Sequence, residues 1–440
     1  MVERDVAERV YEWVTDEDAE GSACEGIPEE ACREAPRSFL LNLANGAATK
    51  LAEQLASPDL VLVWFLSVLG APVFFSGMLE PVRRGAAMFP QLAVSGRMRA
   101  YGRRKWFWVG AGVLQAVTLV VMLVAGLVLS GGVAGVVIVA ALLVFSVASG
   151  VGSVAFKDVM GKTIPKGKRG QLLGLRSSIG GALTIAAGLV LYGVVAGANG
   201  VAPFVALLGF AAVLWALAAG LFARIEEQPG ATGGGRNALS ELRHGWRLLT
   251  GVRGFRWFIL SRGLLLSAEL SIPFYTLRAR QITGAGRGFG LFVVALGVAA
   301  LIGGPVWGRI SDLVSSRLVL VAAGLVGALA AAGALSFGIF SSGRSSPYLY
   351  ALIFLVVGFA RDGVRVGRKS YVVDASPPDE RPLYTATANT ASGVLTFMFI
   401  TLGFFAQAAG VGATLAVLLV LGLLGAAAAW RMPEAGEMVG

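Results

Sequence analysis

Residues 60–94 read LVLVWFLSVLGAPVFFSGMLEPVRRGAAMFPQLAV. Most of the stretch is apolar or small, with a short turn signal at Gly70 to Pro72. In its second half, Glu80, Arg83 and Arg84 interrupt the run. Apolar segments of about 20 residues on either side of a tight turn are what two crossings of roughly 30 Å of hydrocarbon require. A central arginine in such a crossing costs about 2.5–3.5 kcal/mol on insertion scales. Two persist only against a partner or in a water-filled cavity. The stretch therefore points to a chain that crosses a membrane repeatedly and keeps a polar interior between its crossings.

The rest of the sequence agrees. Of 440 residues, 56% are hydrophobic and 15% charged, with mean hydropathy +0.72, where a soluble domain carries about 25% charged residues. No ten-residue segments alternate with period 2, which excludes a β-barrel. The expected fold class is an all-α polytopic membrane protein. Twelve spans are expected at 39–68, 72–94, 106–129, 133–156, 170–195, 201–224, 255–279, 287–307, 318–340, 347–372, 382–408 and 411–431.

The first 37 residues hold 12 acids and 4 bases, although the whole chain is formally +10. They lack the apolar core of a secretory signal. A short helix is expected where Val6, Val10, Trp13 and Val14 follow helical spacing. The only cysteines, Cys24 and Cys32, lie in this tail and are expected to be free thiols on the cytosolic side. The basic excess reads as positive-inside loops and not as nucleic-acid binding. Arg97, Arg99, Arg103, Arg104 and Lys105 follow span two; Lys157, Lys162, Lys166, Lys168 and Arg169 follow span four. Most of the opposite turns are short and uncharged, with exceptions at Arg280, Arg287 and Arg344. Both termini are therefore expected in the cytoplasm, in a multi-pass protein of the cytoplasmic (inner) membrane.

Domain boundaries follow: an acidic segment 1–37, a six-helix bundle 38–224, a cytoplasmic linker 225–254, a second six-helix bundle 255–431 and a tail 432–440. The linker opens Gly-rich. It continues with Leu239, Leu242, Trp246 and Leu249 on one helical face, an amphipathic helix at the membrane surface.

The halves echo each other. Pro165 to Arg169 and Pro377 to Arg381 share one spacing, each before a new span. The loop after span eight, GRISDLVSSR at 308–317, resembles the signature loop G-x-L-x-D-x-x-G-R-R of the major facilitator superfamily, with Gly308, Ile310, Asp312 and Arg317 matching. The equivalent first-half loop, 95–105, keeps Gly102, Arg103 and Arg104 but has Arg99 where the family places Asp. The resemblance covers residues 39–431. It implies two pseudo-symmetric six-helix bundles around a midplane cavity that opens alternately to each side. It also implies that Asp312 pairs with bases of the opposite bundle and locks the outward-facing state. Span five lacks the Pro of the G-x-x-x-G-P motif, and Ser146 stands where many members have Arg in span four; both departures count against a drug/proton antiporter.

The charges inside the spans form the candidate site. Ser76, Glu80, Arg83, Arg84 and Gln91 share one face of span two. Asn42, Asn45, Thr49, Lys50, Glu53 and Gln54 form a polar stripe on span one. Arg262 and Glu269 lie two turns apart on span seven. On span ten, Arg361, Asp362 and Arg365 lie deep, with Arg368 and Lys369 at the cytoplasmic edge. Candidate substrate contacts are Asn45, Lys50, Arg83, Arg84, Arg262, Arg361 and Arg365. Candidate proton carriers are Glu53, Glu80, Glu269 and Asp362. Static pairing between helices is the competing reading of each. Six deep bases against four deep acids leave cations over, which suggests an anionic ligand, since guanidinium grips carboxylate or phosphate in a fork. The lone histidine, His244, lies in the linker, so carboxylates are left for proton coupling.

The expected function is secondary active transport of a small solute, with an anionic one suggested by the surplus cations, by alternating access, coupled to protons, by a chain that works as a monomer without cofactor or metal. An efflux permease of the same superfamily, or a non-transporting scaffold or sensor on the same fold, is the alternative. No phosphate-binding G-x-x-x-x-G-K-[ST] loop is present for an ATP-driven pump, and no clustered nucleophile or metal set for an enzyme.

Overall fold

The computed structural model of the chain describes residues 27–98, 100–165, 168–195, 200–229, 247–283, 288–340, 347–377 and 381–435. Within these, side chains at 89–97, 170, 177, 191–195, 283, 338–340, 381–382 and 386 stay undescribed. The expected helix near Val6, most of the amphipathic linker helix, Cys24, Arg99 and His244 lie outside the described residues, as does the side chain of Gln91.

The described elements are helices. A short α1 (Glu29–Arg33) leads into α2 (Ala35–Leu55), α3 (Val61–Val68), α4 (Val73–Met98), α5 (Lys105–Val128), α6 (Gly131–Thr163), α7 (Arg169–Val195) and α8 (Ala202–Ala223). The second half holds α9 (Arg253–Glu269), α10 (Ile272–Thr283), α11 (Phe289–Leu313), α12 (Ser316–Phe340), α13 (Pro347–Ala375), α14 (Arg381–Met398) and α15 (Ile400–Trp430). Eight described stretches are long and apolar enough to cross a membrane. The last runs from Leu383 to Trp430 and breaks at Gly410, whose φ of 88° only glycine adopts freely, so it serves as two crossings. The three crossings left out of those stretches are spans one, two and ten, those richest in embedded charge. Exposed Val128, Val133, Val213 and Leu329 cover the outer faces, as lipid contact requires.

The halves pack alike. In the first, α5 packs on α6 and α8, α4 on α6, and α2 on α8; in the second, α12 packs on α13 and α15, α11 on α13, and α9 on α15. The bundles meet along two walls, α7 against α11 and α4 against α14 and α15. These are equivalent pairs under the same pseudo-symmetry.

Two spans read as continuous are broken, and the breaks correspond. Span one stops at Leu55 and restarts at Val61; span seven stops at Glu269 and restarts at Ile272. Pro58 and Pro273 supply no backbone N–H, so the chain cannot carry a full helical ladder through either point. Ser57 Oγ accepts the Val61 N–H at 3.3 Å and opens the second half-helix. The breaks touch: Thr276 Oγ1 donates to the Asp59 carbonyl at 3.0 Å. Span two, in contrast, stays helical through Pro81.

At the end holding the turns 69–72 and 129–131 the bundles are sealed. The Trp64 ring meets Phe289 edge-on at 5.4 Å, and Phe74 stacks on Phe404 at 5.1 Å. The Val73 N–H donates to Gln407 Oε1 at 2.7 Å. Gly77 and Gly403 bring α4 and α15 into backbone contact, where a side chain on Gly403 would meet the Phe74 carbonyl and the Gly77 backbone. At the other end, among the described residues, ion pairs stay within one bundle.

One expectation is overturned near the N-terminus: Cys32 is disulfide-bonded, not a free thiol. The cysteine sequence spacing carries no information about redox state, which the compartment argument alone had supplied.

Candidate functional site

Between the bundles lies a cavity of about 880 Å³. Its wall includes Lys50, Glu53, Asp59, Glu80, Arg83 and Arg84 from the first half and Glu269, Arg361, Arg365 and Arg368 from the second. Apolar groups, including Leu119, Met122, Phe145 and Leu266, complete it.

The charged groups form a string that alternates in sign. Arg361 donates to Asp59 Oδ2 at 2.9 Å, and its other nitrogen lies 3.9 Å from Glu80 Oε1. Glu80 Oε2 accepts from Arg84 Nε at 3.0 Å, and Arg84 Nη1 donates to Glu269 Oε2 at 2.5 Å. Glu269 Oε1 then lies 3.3 Å from Arg368 Nη1. Asp59, Glu80 and Arg84 belong to the first bundle; Arg361, Glu269 and Arg368 to the second. The string crosses the interface at three contacts. Its three carboxylates are buried, at 7%, 3% and 2% exposure, and such groups persist ionised only when paired.

A second cluster stays on the first bundle. Lys50 Nζ donates to Glu53 Oε2 at 2.9 Å, and Arg83 lies 3.5 Å from the other oxygen. Arg83 also lies over the Phe145 ring at 5.2 Å. Arg365 pairs with Asp362 at 2.6 Å one turn away. Six bases and four acids line the cavity, so a cationic surplus exists among its lining residues.

Several candidates lie elsewhere. Asn45 is fully buried and donates to the Ala218 carbonyl at 2.9 Å, which ties span one to span six and faces away from the cavity. Asn42 and Thr49 likewise bond backbone carbonyls of their own helix. Helical spacing identified the polar stripe, but a stripe of that width spans two neighbours. Arg262 is buried behind the wall and donates to Asn389 Oδ1 at 2.9 Å. Asp362 is buried against Gly303.

Sequence reasoning missed three groups. Asp59 was hidden in a span read as one helix; the triplet Ser57–Pro58–Asp59 was its signal, a turn and helix-start signature. Arg368 was assigned to the membrane edge but reaches inward to Glu269. Arg176 of α7 lies over the Phe156 ring at 4.6 Å and bonds the Asn42 carbonyl.

The signature loops behave differently in the two halves. Asp312 is exposed and forms no ion pair among the described residues. Gly308 is open, and Arg317 turns instead to Glu434 at 2.6 Å and the Met432 carbonyl at 2.9 Å. In the first half, Arg104 pairs with Asp158, the Gly102 carbonyl accepts from Lys162 at 3.1 Å, and Arg103 is exposed. Buried Glu227, just past α8, accepts the N–H groups of Arg104 and Lys105 at 2.7 Å each and pairs with Lys162 at 2.8 Å. A carboxylate there caps the positive end of α5.

The model of the Major Facilitator Superfamily matches residues 85–342 and 264–439. The chain belongs to that superfamily, and its long apolar helices make it a multi-pass membrane protein. The structure is similar to that of a peptide transporter POT in complex with sulfate, at TM-score 0.68 and 14% identity over 92% of this chain and 96% of that one. It is similar to a D-xylose-proton symporter, at TM-score 0.66 and 16% identity over 91% and 98%. It is also similar to a bacterial homologue of the iron transporter ferroportin in an inward-facing state, at TM-score 0.68 and 16% identity over 90% and 98%. Identities this low show the fold alone. Among curated sequences, uncharacterized proteins of Mycobacterium tuberculosis and Mycobacterium bovis are 27% identical over 292 residues, 65% of this chain. The match spans only 56% of the length of those relatives.

Proposed function

We propose that the chain is a secondary transporter that moves a small solute bearing an anionic group by alternating access, with protons as the coupling ion. The observation that carries this reading is the string Asp59–Arg361–Glu80–Arg84–Glu269–Arg368, in which paired charges of two bundles face one cavity. Each crossing pair is a bond that must break when the bundles move apart. An anionic group entering the cavity competes with Glu80 and Glu269 for Arg84, and with Asp59 for Arg361. Substrate thus replaces the protein carboxylate as the guanidinium partner. The carboxylate released in a poorly hydrated site then takes up a proton. Binding, proton uptake and loosening of the bundle interface become one event.

The two corresponding helix breaks support the same location, since interrupted crossings at equivalent positions mark the binding region in transporters built from repeats. With the basic loops on the cytoplasmic side, the sealed end faces outward and the cavity belongs to an inward-facing state. Asp312, unpaired in this state, is then the lock that engages when the cytoplasmic end closes. The test is reconstitution in liposomes after a thermal-shift screen of carboxylates, phosphate esters and lipophilic cations, since only ligands of the native state raise its stability. Anionic ligands should raise the melting temperature, and an imposed pH gradient should drive their accumulation. Stabilisation by cations alone, or uptake indifferent to the gradient, would overturn the reading.

A further inference from the structure

On the outer face of the C-terminal bundle lies a second hollow, of about 550 Å³. It runs between α9, α14 and α15, lined by Ile259, Leu260, Leu264, Leu395, Met398 and Leu402. Gly263 forms part of its floor beside Leu395, and Arg256 stands at one end. Apart from Arg256 and Thr401, the lining is apolar. Leu260 and Met398 are 48% and 62% exposed, so the groove opens away from the protein, into the bilayer.

Its depth is that of one leaflet. Arg256 sits in the first turn of α9, which begins at Arg253. From Arg256 to Leu264 the helix rises by about 12 Å at 1.5 Å per residue. That is less than half of the roughly 30 Å hydrocarbon thickness. The groove therefore starts at the headgroup level and ends near the bilayer midplane.

Its mouth carries charge that no described residue answers. Arg247, Arg253 and Arg256 are all exposed, and none forms an ion pair among the described residues. Nearby, Arg431 lies over the Trp257 ring at 5.5 Å, an aromatic and a cation at the membrane surface level. At the neighbouring end of α12, by contrast, Arg317 is matched by Glu434. An apolar slot of one-leaflet depth with unmatched guanidinium groups at its mouth fits one kind of molecule.

We propose that this groove binds a phospholipid with an anionic headgroup, its phosphate on Arg256 and one acyl chain laid along Leu260, Gly263 and Leu402. The guanidinium fork supplies paired donors to phosphate oxygens. Arg256 favours a headgroup with net negative charge over a zwitterionic one, whose own cation competes with the guanidinium for the phosphate. Because α14 lines the central cavity through Ser392 and Thr396 and α15 packs on α4 across the bundle interface, the lipid contacts helices that take part in alternating access.

The test is native mass spectrometry of the delipidated full chain, titrated with phosphatidylglycerol or phosphatidylcholine of identical acyl chains. The first phosphatidylglycerol adduct should form about fivefold more tightly, the scale of one basic residue at a charged surface. Arg256→Gln should abolish the preference. Arg309→Gln should keep it, since Arg309 is equally exposed but lies on α11, away from the groove. Leu260→Trp, which fills the slot from its exposed side, should weaken both lipids. Equal binding of the two lipids, a preference that survives Arg256→Gln, or dimers in which the lipid adduct is replaced by a second copy of the chain would each overturn the proposal.

Discussion

Arg361 of the second bundle donates to Asp59 of the first at 2.9 Å, and Asp59 sits in the break that splits span one. The same break receives Thr276 from just beyond the split in span seven. Two interrupted helices at equivalent places in the two halves thus meet through one hydrogen bond, and the ion pair ties the same break to span ten. Unwound backbone at this depth is tolerated only where protein or a water-filled cavity satisfies it. The ion pair is therefore both a local satisfaction of buried groups and a tie between the moving bodies.

Removing one partner tests which role dominates. Arg361→Gln leaves Asp59 buried with no other cation in hydrogen-bond range, and should destabilise the chain by about 3–5 kcal/mol, the scale of a stranded buried charge. Asp59→Asn in the same chain should restore most of that. Transport should stay impaired in the double variant if the pair also reports substrate binding. Melting temperature and uptake measured around the double-mutant cycle separate the two effects. Full recovery of both would reduce the pair to scaffold.

Arg83 and Arg84 are adjacent in sequence but should respond differently. Arg84 holds Glu80 and Glu269 together across the interface. Arg84→Gln should cost about 2–4 kcal/mol, below the roughly 3–5 of a fully stranded buried charge, because Arg361 and Arg368 still reach the two acids. Glu80→Gln should partly rescue it. Arg83 shares Glu53 with the closer Lys50. Arg83→Gln should therefore leave the melting temperature nearly unchanged while weakening an anionic ligand by about 1–3 kcal/mol. Comparable melting shifts for the two variants would place Arg83 in the structural string instead.

The difference between these neighbours marks how far the sequence could be read. Apolar runs, basic loops and the paired signature loops were enough for a twelve-span chain in two halves, because membrane crossing leaves few alternatives. Helical spacing also placed Glu80, Arg83 and Arg84 on one face. It could not say which neighbour each group meets: Asn45 has the right periodicity and packs on span six. Nor could it locate Asp59, since a five-residue break inside an apolar run reads as continuous helix unless Ser-Pro-Asp is weighted as a turn. Partners drawn from sequence positions about 300 residues apart, as Arg361 and Asp59 are, follow from tertiary packing that no local pattern encodes.

The seal between α4 and α15 depends on backbone contact at Gly77 and Gly403. A larger side chain there cannot be absorbed by a rotamer change, since the atoms it meets are main chain. Gly403→Leu should hold the bundles apart at that end and cost about 1–3 kcal/mol, the scale of overpacking. Spin labels on Gly132→Cys and Leu349→Cys, one exposed position on each bundle, should report a longer distance. An unchanged distance with unchanged stability would show that the contact is not a closure point.

Orientation needs a probe other than the native cysteines, because a disulfide-bonded Cys32 would stay silent to thiol reagents on either side. In a background without native cysteines, Gly132→Cys lies in the first turn of α6 and Val314→Cys in the loop after α11, both exposed. An impermeant maleimide added to intact cells should label the first and spare the second. The reverse pattern would invert the topology, and with it the inward-facing assignment of the cavity.

Asp312 is the sharpest test of the alternating mechanism, because the structure shows it unengaged. Exposed and without an ion-pair partner among the described residues, it contributes little to the stability of this state. Asp312→Asn should therefore leave the stability within about 0.5 kcal/mol of the parent, as for an ordinary surface change. If Asp312 engages bases of the other bundle when the cytoplasmic end closes, the same variant loses that contact only in the outward-facing state. The population then shifts toward the inward-facing state by the differential alone. Uptake should slow, and the distance between labels on Gly132→Cys and Leu349→Cys should move toward its short value. A variant that transports at the parent rate with an unchanged distance distribution would leave Asp312 an ordinary loop charge.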